Sequence, residues 1–248
     1  MVYNAFTMSK VNILKSNLLS KIAGIEHAFL PSEAILPENI IRPRLVHGNQ
    51  LIIVAEEQDF STHKAEGVIK ETDLPIRINT AECMPVLMAD NLGSRVAAVH
   101  AGWRGLNLGI LIEAINTLKD LGSAPENLSI AIGPAIGSCC YEVGQEVIDE
   151  LQSNFGHLWQ NIAPPWTNIQ PDSPNPMRTV ATKQNSGIWL NLRAVANLQL
   201  KFLGIPENQI EQVGECTYCG SEKYSSYRRN THENKKRPAQ YCWIKKVQ

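Results

Sequence analysis

The segment RVAAVHAGWRG, residues 95–105, decides the reading of this chain. Arg95 to Val99 is built from small and β-branched residues and is apolar enough for a strand inside a sheet. His100 follows at its end, and Gly102 and Gly105 break the chain. Arg104 then precedes a helix that begins near Asn107. In that helix Leu108, Leu111, Ile112, Ile115, Leu118 and Leu121 recur at helical spacing, and Gly122 caps it. A strand running through glycines into an amphipathic helix places the chain in the α/β class.

Outward from this unit the same signals recur. Leu74 to Asn79, Pro85 to Ala89, Leu128 to Ile132 and Ile210 to Val213 read as strands. Val143 to Phe155 and Trp189 to Leu203 read as helices, the second stopped by Gly204 and Pro206. Ser9 to Ile22 has a helical pattern. Arg44 to Val46 and Gln50 to Ala55 flank His47-Gly48-Asn49 and read as a hairpin with His47 near its tip. Residues 161–187 hold five prolines and read as an irregular excursion. Strands and helices alternate without a strict βαβ rhythm. The expectation is one domain over residues 1–248, with mixed β-sheets and helices packed outside them.

Composition removes several function classes. With 44% hydrophobic and 19% charged residues the chain is globular. A net charge of −1 argues against a strongly basic nucleic-acid binder. The longest apolar runs, such as Leu51 to Ala55, fall far short of the roughly 20 residues of a membrane helix. No signal-peptide pattern opens the sequence, so a cytoplasmic enzyme without a membrane partner is expected. Six cysteines are too few for a disulfide scaffold and leave three roles: buried thiol, metal ligand or nucleophile.

Three segments place a metal-ligand type where a β-run meets a turn: Val46-His47-Gly48, Ala81-Glu82-Cys83-Met84-Pro85, and Val99-His100-Ala101-Gly102. Two imidazoles and a thiolate suit a catalytic zinc with an open fourth position. The spacing alone does not demand it. His47 and His100 also fit hydrogen-bonded structural roles, Cys83 a buried thiol, and Cys83 with His100 a metal-free nucleophile pair. Glu82 reads as a general acid/base or as a carboxylate orienting a histidine. Arg104 reads as an anion site or a structural ion pair. Tyr227, Arg228 and Arg229 offer stacking and phosphate contacts, or form a solvated basic tail. Cys216-Thr-Tyr-Cys219 with His232 and Cys242 has irregular spacing for a structural zinc, and Cys139-Cys140 reads as core-facing.

The ordered set VHG, TAECMP, HAGWRG, IGPAIG, YEVG, CT and SSYRR, over residues 44 to 237, resembles the YfiH/YlmD family of laccase-domain proteins, also called the purine nucleoside phosphorylase family. The resemblance implies a zinc ion held by His47, Cys83 and His100. It implies phosphorolysis of adenosine, inosine and methylthioadenosine, with possible deamination of adenosine. The partners would then be a purine nucleoside and phosphate. It also implies an α/β fold of layered mixed β-sheets flanked by helices, related to the catalytic domain of Rho-deamidating toxins. Earlier naming of the family as multicopper polyphenol oxidases fits poorly, since one His2Cys set cannot supply a multinuclear copper cluster. A metal-free Cys/His hydrolase or deamidase, and a binding protein that has lost turnover, are the other readings. The chain departs from the family pattern at Glu82, where Asp is usual, and at His27-Ala28-Phe29-Leu30-Pro31, where the family's Thr-Arg is absent. It departs again at Lys235-Lys236-Arg237-Pro238, where Thr-Gly-Arg is usual.

Overall fold

The computed structural model of the protein describes residues 13–32, 34–55, 59–71, 73–173, 187–220, 223–235 and 238–247. The first strands are β1 (Ile25–Leu30), β2 (Leu51–Val54), β3 (Gly67–Lys70), β4 (Ile76–Thr80), β5 (Met84–Asp90) and β6 (Val96–Ala101). Helices α1 (Trp103–Asn107) and α2 (Ile110–Asp120) follow, then β7 (Leu128–Ile132) and α3 (Gln145–Phe155). The remainder is β8 (Trp166–Thr167), β9 (Trp189–Leu190), α4 (Leu192–Phe202), β10 (Ile210–Gln212), α5 (Tyr227–His232) and β11 (Gln240–Lys246).

β5 and β6 are buried along their whole length, as their nearly unbroken apolar sequence requires. They form an antiparallel pair joined by a turn in which Gly93 adopts a left-handed conformation. Around them lies a six-stranded sheet in the order β10-β7-β5-β6-β3-β2. β10 runs parallel to β7 and β2 parallel to β3, while the central pairs are antiparallel, so the sheet is mixed. The period of two then separates two cores. Val86, Met88, Ala97 and Val99 face the helices, where Leu111, Ile115 and Leu118 of α2 are fully or almost fully buried. Each such side chain stabilises the fold by about 1.5–3 kcal/mol. Leu87, Ala89, Val96 and Ala98 face the second core, formed with Ile76 and Ile78 of β4 and Phe29 of β1. That layer is a three-stranded antiparallel sheet in the order β1-β11-β4. The layered mixed-sheet architecture is therefore as expected.

Several local expectations need correction. The described part of Ser9 to Ile22 contains only a 3-10 turn at Leu19–Lys21. Arg44 to Ala55 is no hairpin, because β2 pairs with β3 and Arg44 bridges to Lys64. The helix after β6 starts at Trp103, earlier than its apolar spacing suggests. It breaks at Gly109, whose φ of 77° ends α1 and turns the chain into α2. Arg104 thus lies inside a helix rather than ahead of one. Trp189 opens a short strand before α4, whose N-cap Asn191 accepts a hydrogen bond from the Ala194 amide. Of the excursion over 161–187, residues 174–186 lie outside the described residues, as do Lys236 and Arg237. Among the described residues no helix is long and apolar enough to cross a membrane.

The two layers meet near His27 of β1, which is buried and accepts a hydrogen bond at Nε2 from the Ser16 amide at 2.8 Å. Burial holds this imidazole down to about 4. Its folded pKa lies below the unfolded value of about 6.5. Between those two pH values the unfolded chain takes up a proton that the native state refuses, so stability falls as pH falls. His27→Gln keeps an acceptor and removes the titration. The variant is expected to show a flatter dependence of urea midpoint on pH from about 6.5 to about 4, with a difference on the order of 3 kcal/mol at the acid end.

Candidate metal centre and substrate cavity

Three chain segments converge where β5 begins and β6 ends. Cys83 immediately precedes β5, His100 is the penultimate residue of β6, and His47 lies in the loop that leads to β2. Pro85 of β5 pairs with His100 of β6, so the antiparallel register brings the start of one strand to the end of the other. The ligand atoms of His47, Cys83 and His100 lie within 4.8 Å of one another. The two imidazole rings are edge to face, with centroids 5.2 Å apart. His100 is buried, Cys83 half-buried and His47 exposed, so the group is open on one side.

A carboxylate that the sequence reading missed holds this arrangement. Glu66 precedes β3 and is fully buried. Its Oε2 lies 2.5 Å from His100 Nδ1. Its Oε1 accepts from the amides of Val46 and His47, each at 2.5 Å. The Glu66 carbonyl also accepts from the His100 amide at 2.7 Å. Burial would raise the Glu66 carboxyl, but its bonds to His100 and to the loop amides outweigh that and hold it below its ordinary value. An ionised Glu66 can only accept, so Nδ1 of His100 carries the proton and Nε2 is left to face Cys83.

Backbone geometry confirms that the site is built under constraint. His47 has φ 61° and Glu82 has φ 101°, both in the left-handed region that side chains avoid. The Glu66 bonds to two successive amides offset that cost at His47. At residue 102 a Cβ would lie 2.7 Å from Cys83 Sγ, so glycine there leaves the room that the sulfur occupies. Gly105 of α1 packs against the Gly48 carbonyl, and Asn49 Nδ2 donates to the Leu108 carbonyl at 2.9 Å, which fixes the His47 loop against the helix.

The three donors polarise one another. Burial alone would raise the Cys83 thiol, but contacts with His100 and His47 bring it down to about 6. Burial would lower His100, but Cys83 and Glu66 together raise it to about 9. His47 is raised mainly by its hydrogen bond to Cys83. A thiolate beside two imidazoles is the donor chemistry of zinc, and its nucleophilic form is the same thiolate.

Above the three donors opens a cavity of about 570 Å³, lined by Trp103, Arg104, Tyr141, Leu192, Tyr227 and Glu82 among others. That size is ordinary for a small-molecule site, about 300–1,000 Å³. Arg104 is exposed, stacks on the Trp103 ring at 4.5 Å, and makes no ion pair with the described residues. Glu82 is buried, and burial pushes its carboxyl up to about 7 against the bonds it receives. Its Oε1 accepts from Ser226 Oγ and from the Arg228 amide. Glu82 thus anchors the segment ahead of α5, and the histidine-orienting role expected of it belongs to Glu66.

The expected substrate residues separate. Tyr227 is 71% exposed and lines the cavity. Arg228 does not line it: its guanidinium donates to the carbonyls of Cys140 and Glu142 and lies over the Tyr141 ring. Arg229 is buried and donates to the carbonyls of Tyr218 and Tyr224. Both arginines hold backbone, because so many donors satisfy otherwise orphaned carbonyls, and the expectation of direct substrate contact does not fit them. Nor do His232 and Cys242 join the sulfurs of the CxxC as ligands. His232 bonds to the Tyr218 hydroxyl, and Cys242 sits within β11 between Phe29 and Ile78.

Glu66→Gln replaces an acceptor by an amide that cannot satisfy His100 and both loop amides. Zinc affinity is expected to fall by about 10–100-fold, the cost seen for partners of metal-bound histidines. A competitive chelator titration measures it. Gly102→Ala, which keeps all three donors but crowds the sulfur, is expected to weaken zinc in the same assay.

Known proteins resemble this chain in sequence and in fold. The sequence matches the family described as multi-copper polyphenol oxidoreductase laccase over residues 27–245. A purine nucleoside phosphorylase of Synechocystis sp. is 34% identical over 243 residues, covering 85% of this chain and 84% of that one. The purine nucleoside phosphorylase YlmD of Geobacillus stearothermophilus is 31% identical over 180 residues, covering 70% of this chain and 58% of that one. The fold is that of the crystal structure of YfiH from Bacillus licheniformis, with a TM-score of 0.77 at 23% identity over 99% of this chain and 100% of the other. The match spans the sheets, the three-donor centre and the cavity together, and the chain belongs to this laccase-domain family of YfiH and YlmD.

Proposed function

We propose that the protein is a zinc-dependent purine nucleoside phosphorylase, acting on adenosine, inosine or methylthioadenosine, with adenosine deamination as a second activity of the same cavity. The observation that carries this is the convergence of His47, Cys83 and His100 beneath an aromatic-walled cavity whose rim holds Arg104, which has no ion pair among the described residues. Relatives that bear the name purine nucleoside phosphorylase support it.

His47, Cys83 and His100 would hold the zinc ion, and Glu66 keeps the His100 proton on Nδ1. Zinc supplies Lewis acidity and makes water acidic enough to react near neutral pH. Tyr141, Trp103 and Tyr227 offer ring faces to a purine. Arg104 binds phosphate at the rim. In phosphorolysis a phosphate oxygen forms the bond to the anomeric carbon, the glycosidic bond breaks, and its electron pair leaves with the purine. The departing base needs a proton. Glu82 can hold one at Oε2, since Oε1 is committed to Ser226 and Arg228. In deamination the same carboxyl would serve the leaving ammonia, and water would supply the new oxygen.

A second reading rests on a specific arrangement. Cys83, His100 and Glu66 form a thiol–imidazole–carboxylate chain, the order of groups used by metal-free cysteine hydrolases. Chelation separates the two readings. Zinc-loaded protein given adenosine or inosine with phosphate is expected to yield free base and ribose-1-phosphate, whereas inosine formed from adenosine marks deamination. Removal of zinc should abolish both. Activity that survives chelation and is lost on alkylation of Cys83 would replace this reading with the hydrolase. Arg104→Ala is expected to raise the KM for phosphate about 10–100-fold, the loss of a hydrogen bond to a charged group, and to leave deamination nearly unchanged.

A further inference from the structure

Four cysteines lie together outside this cavity. β7 and β10 are parallel neighbours, so their chains leave the sheet on the same side. The ladder is prolonged by a bridge between Ala135 and Cys216, with the Thr217 amide donating to the Ala135 carbonyl at 3.0 Å. The turn after β7 carries Cys139 and Cys140. The turn after β10 carries Cys216 and Cys219. Their sulfurs all lie within 4.8 Å of one another, and Cys139 Sγ is 3.6 Å from Cys219 Sγ. All four are free thiols, three buried and Cys216 half-buried.

We propose that Cys139, Cys140, Cys216 and Cys219 form a second metal site, a closed tetrathiolate site that takes a structural zinc ion. With Zn–S bonds of about 2.3 Å, the sulfurs of a tetrahedral site stand about 3.8 Å apart, close to the spacing seen. Four protein ligands leave no open position, which distinguishes this site from the three-donor centre and assigns it to holding structure.

The surroundings are shaped for the sulfurs. The Gly137 amide donates to Cys216 Sγ at 3.2 Å. A Cβ at Gly137 would lie 3.3 Å from Cys139 Sγ and 3.5 Å from Cys216 Sγ. A Cβ at Gly220 would lie 2.4 Å from the Cys216 carbonyl, so the tight turn of Cys216-Thr-Tyr-Cys219-Gly220 requires glycine at its end. Four thiolates around one divalent ion carry a net charge of −2, which calls for a nearby cation. Arg193 lies near Cys216 and Cys139, and among the described residues its buried Nε has no hydrogen-bond partner.

The site would tie two turns that also shape the substrate cavity. Arg228 donates to the Cys140 carbonyl and Arg229 to the Tyr218 carbonyl, and Tyr141 follows Cys140 directly into the cavity wall. The proposal does not depend on the reaction assigned above.

The test empties the first centre with His47→Ala combined with His100→Ala and then measures zinc in protein purified under reducing conditions. One zinc ion per chain is expected, with X-ray absorption showing four sulfurs at about 2.3 Å. The four thiols should resist alkylation until a chelator is added. Cys139→Ser with Cys219→Ser in the same background should remove that zinc. Where this variant fails to fold, the coordination shell of its parent decides. Zinc below one tenth per chain, a shell containing nitrogen, copper in place of zinc, or a disulfide detected by mass under the same conditions would each overturn the proposal.

Discussion

One buried carboxylate governs the three-donor centre. Glu66 binds the His100 ring through one oxygen and the amides of Val46 and His47 through the other. A single side chain therefore sets the tautomer of one ligand and the backbone of another. The rest of the site is arranged around this. β3 places Glu66, β6 places His100, and their antiparallel pairing in the six-stranded sheet makes the contact inevitable once the sheet forms. Burying a carboxylate is costly unless its acceptors are filled, and here three donors fill them.

The same economy appears on the opposite wall. Glu82 receives Ser226 and the Arg228 amide, while Ser226 also caps α5 by accepting from the Arg229 amide at 3.0 Å. The residue beside a ligand is thereby bonded to a segment more than 140 positions later. Arg228 and Arg229 extend this bracing to the turns that carry the four cysteines. The cavity wall and the cysteine cluster are in this sense one structure, joined through carbonyl groups.

Much of this was legible in the sequence because it is local. The strand–glycine–helix unit around His100, the alternation of β4 and the apolar face of α2 each follow from periodicity over a few residues. Cys83 and His100 stood out because both sit at strand ends beside glycine or proline. What failed was non-local. Glu66 meets His100 across 34 positions, and nothing in Lys64-Ala65-Glu66-Gly67 announces it beyond a charge at the mouth of an apolar run. Cys139 meets Cys219 across 80 positions, through a parallel pairing that no spacing rule encodes. His47 was misplaced on a hairpin because His-Gly-Asn is good turn chemistry, whereas the strand beside it pairs in parallel with β3. Arg228 and Arg229 read as substrate contacts or as a solvated tail because composition cannot reveal carbonyls waiting for donors.

The position of β11 has a consequence for how the chain folds. This last strand lies between β1 and β4, which have no pairing with each other. The three-stranded layer packs on the central sheet, yet its middle member lies far along the chain from both strands that it joins. Without β11, Ile76, Ile78 and Phe29 have no complete layer to join, and the apolar face formed by Leu87, Ala89 and Ala98 lacks its full cover. Closure through pairings so distant in sequence slows folding, because the loop entropy is lost before the contacts form. Ser226, Tyr227 and Arg228 lie on the segment that leads into β11, so the cavity wall and the closing of the second core are tied to one stretch of chain.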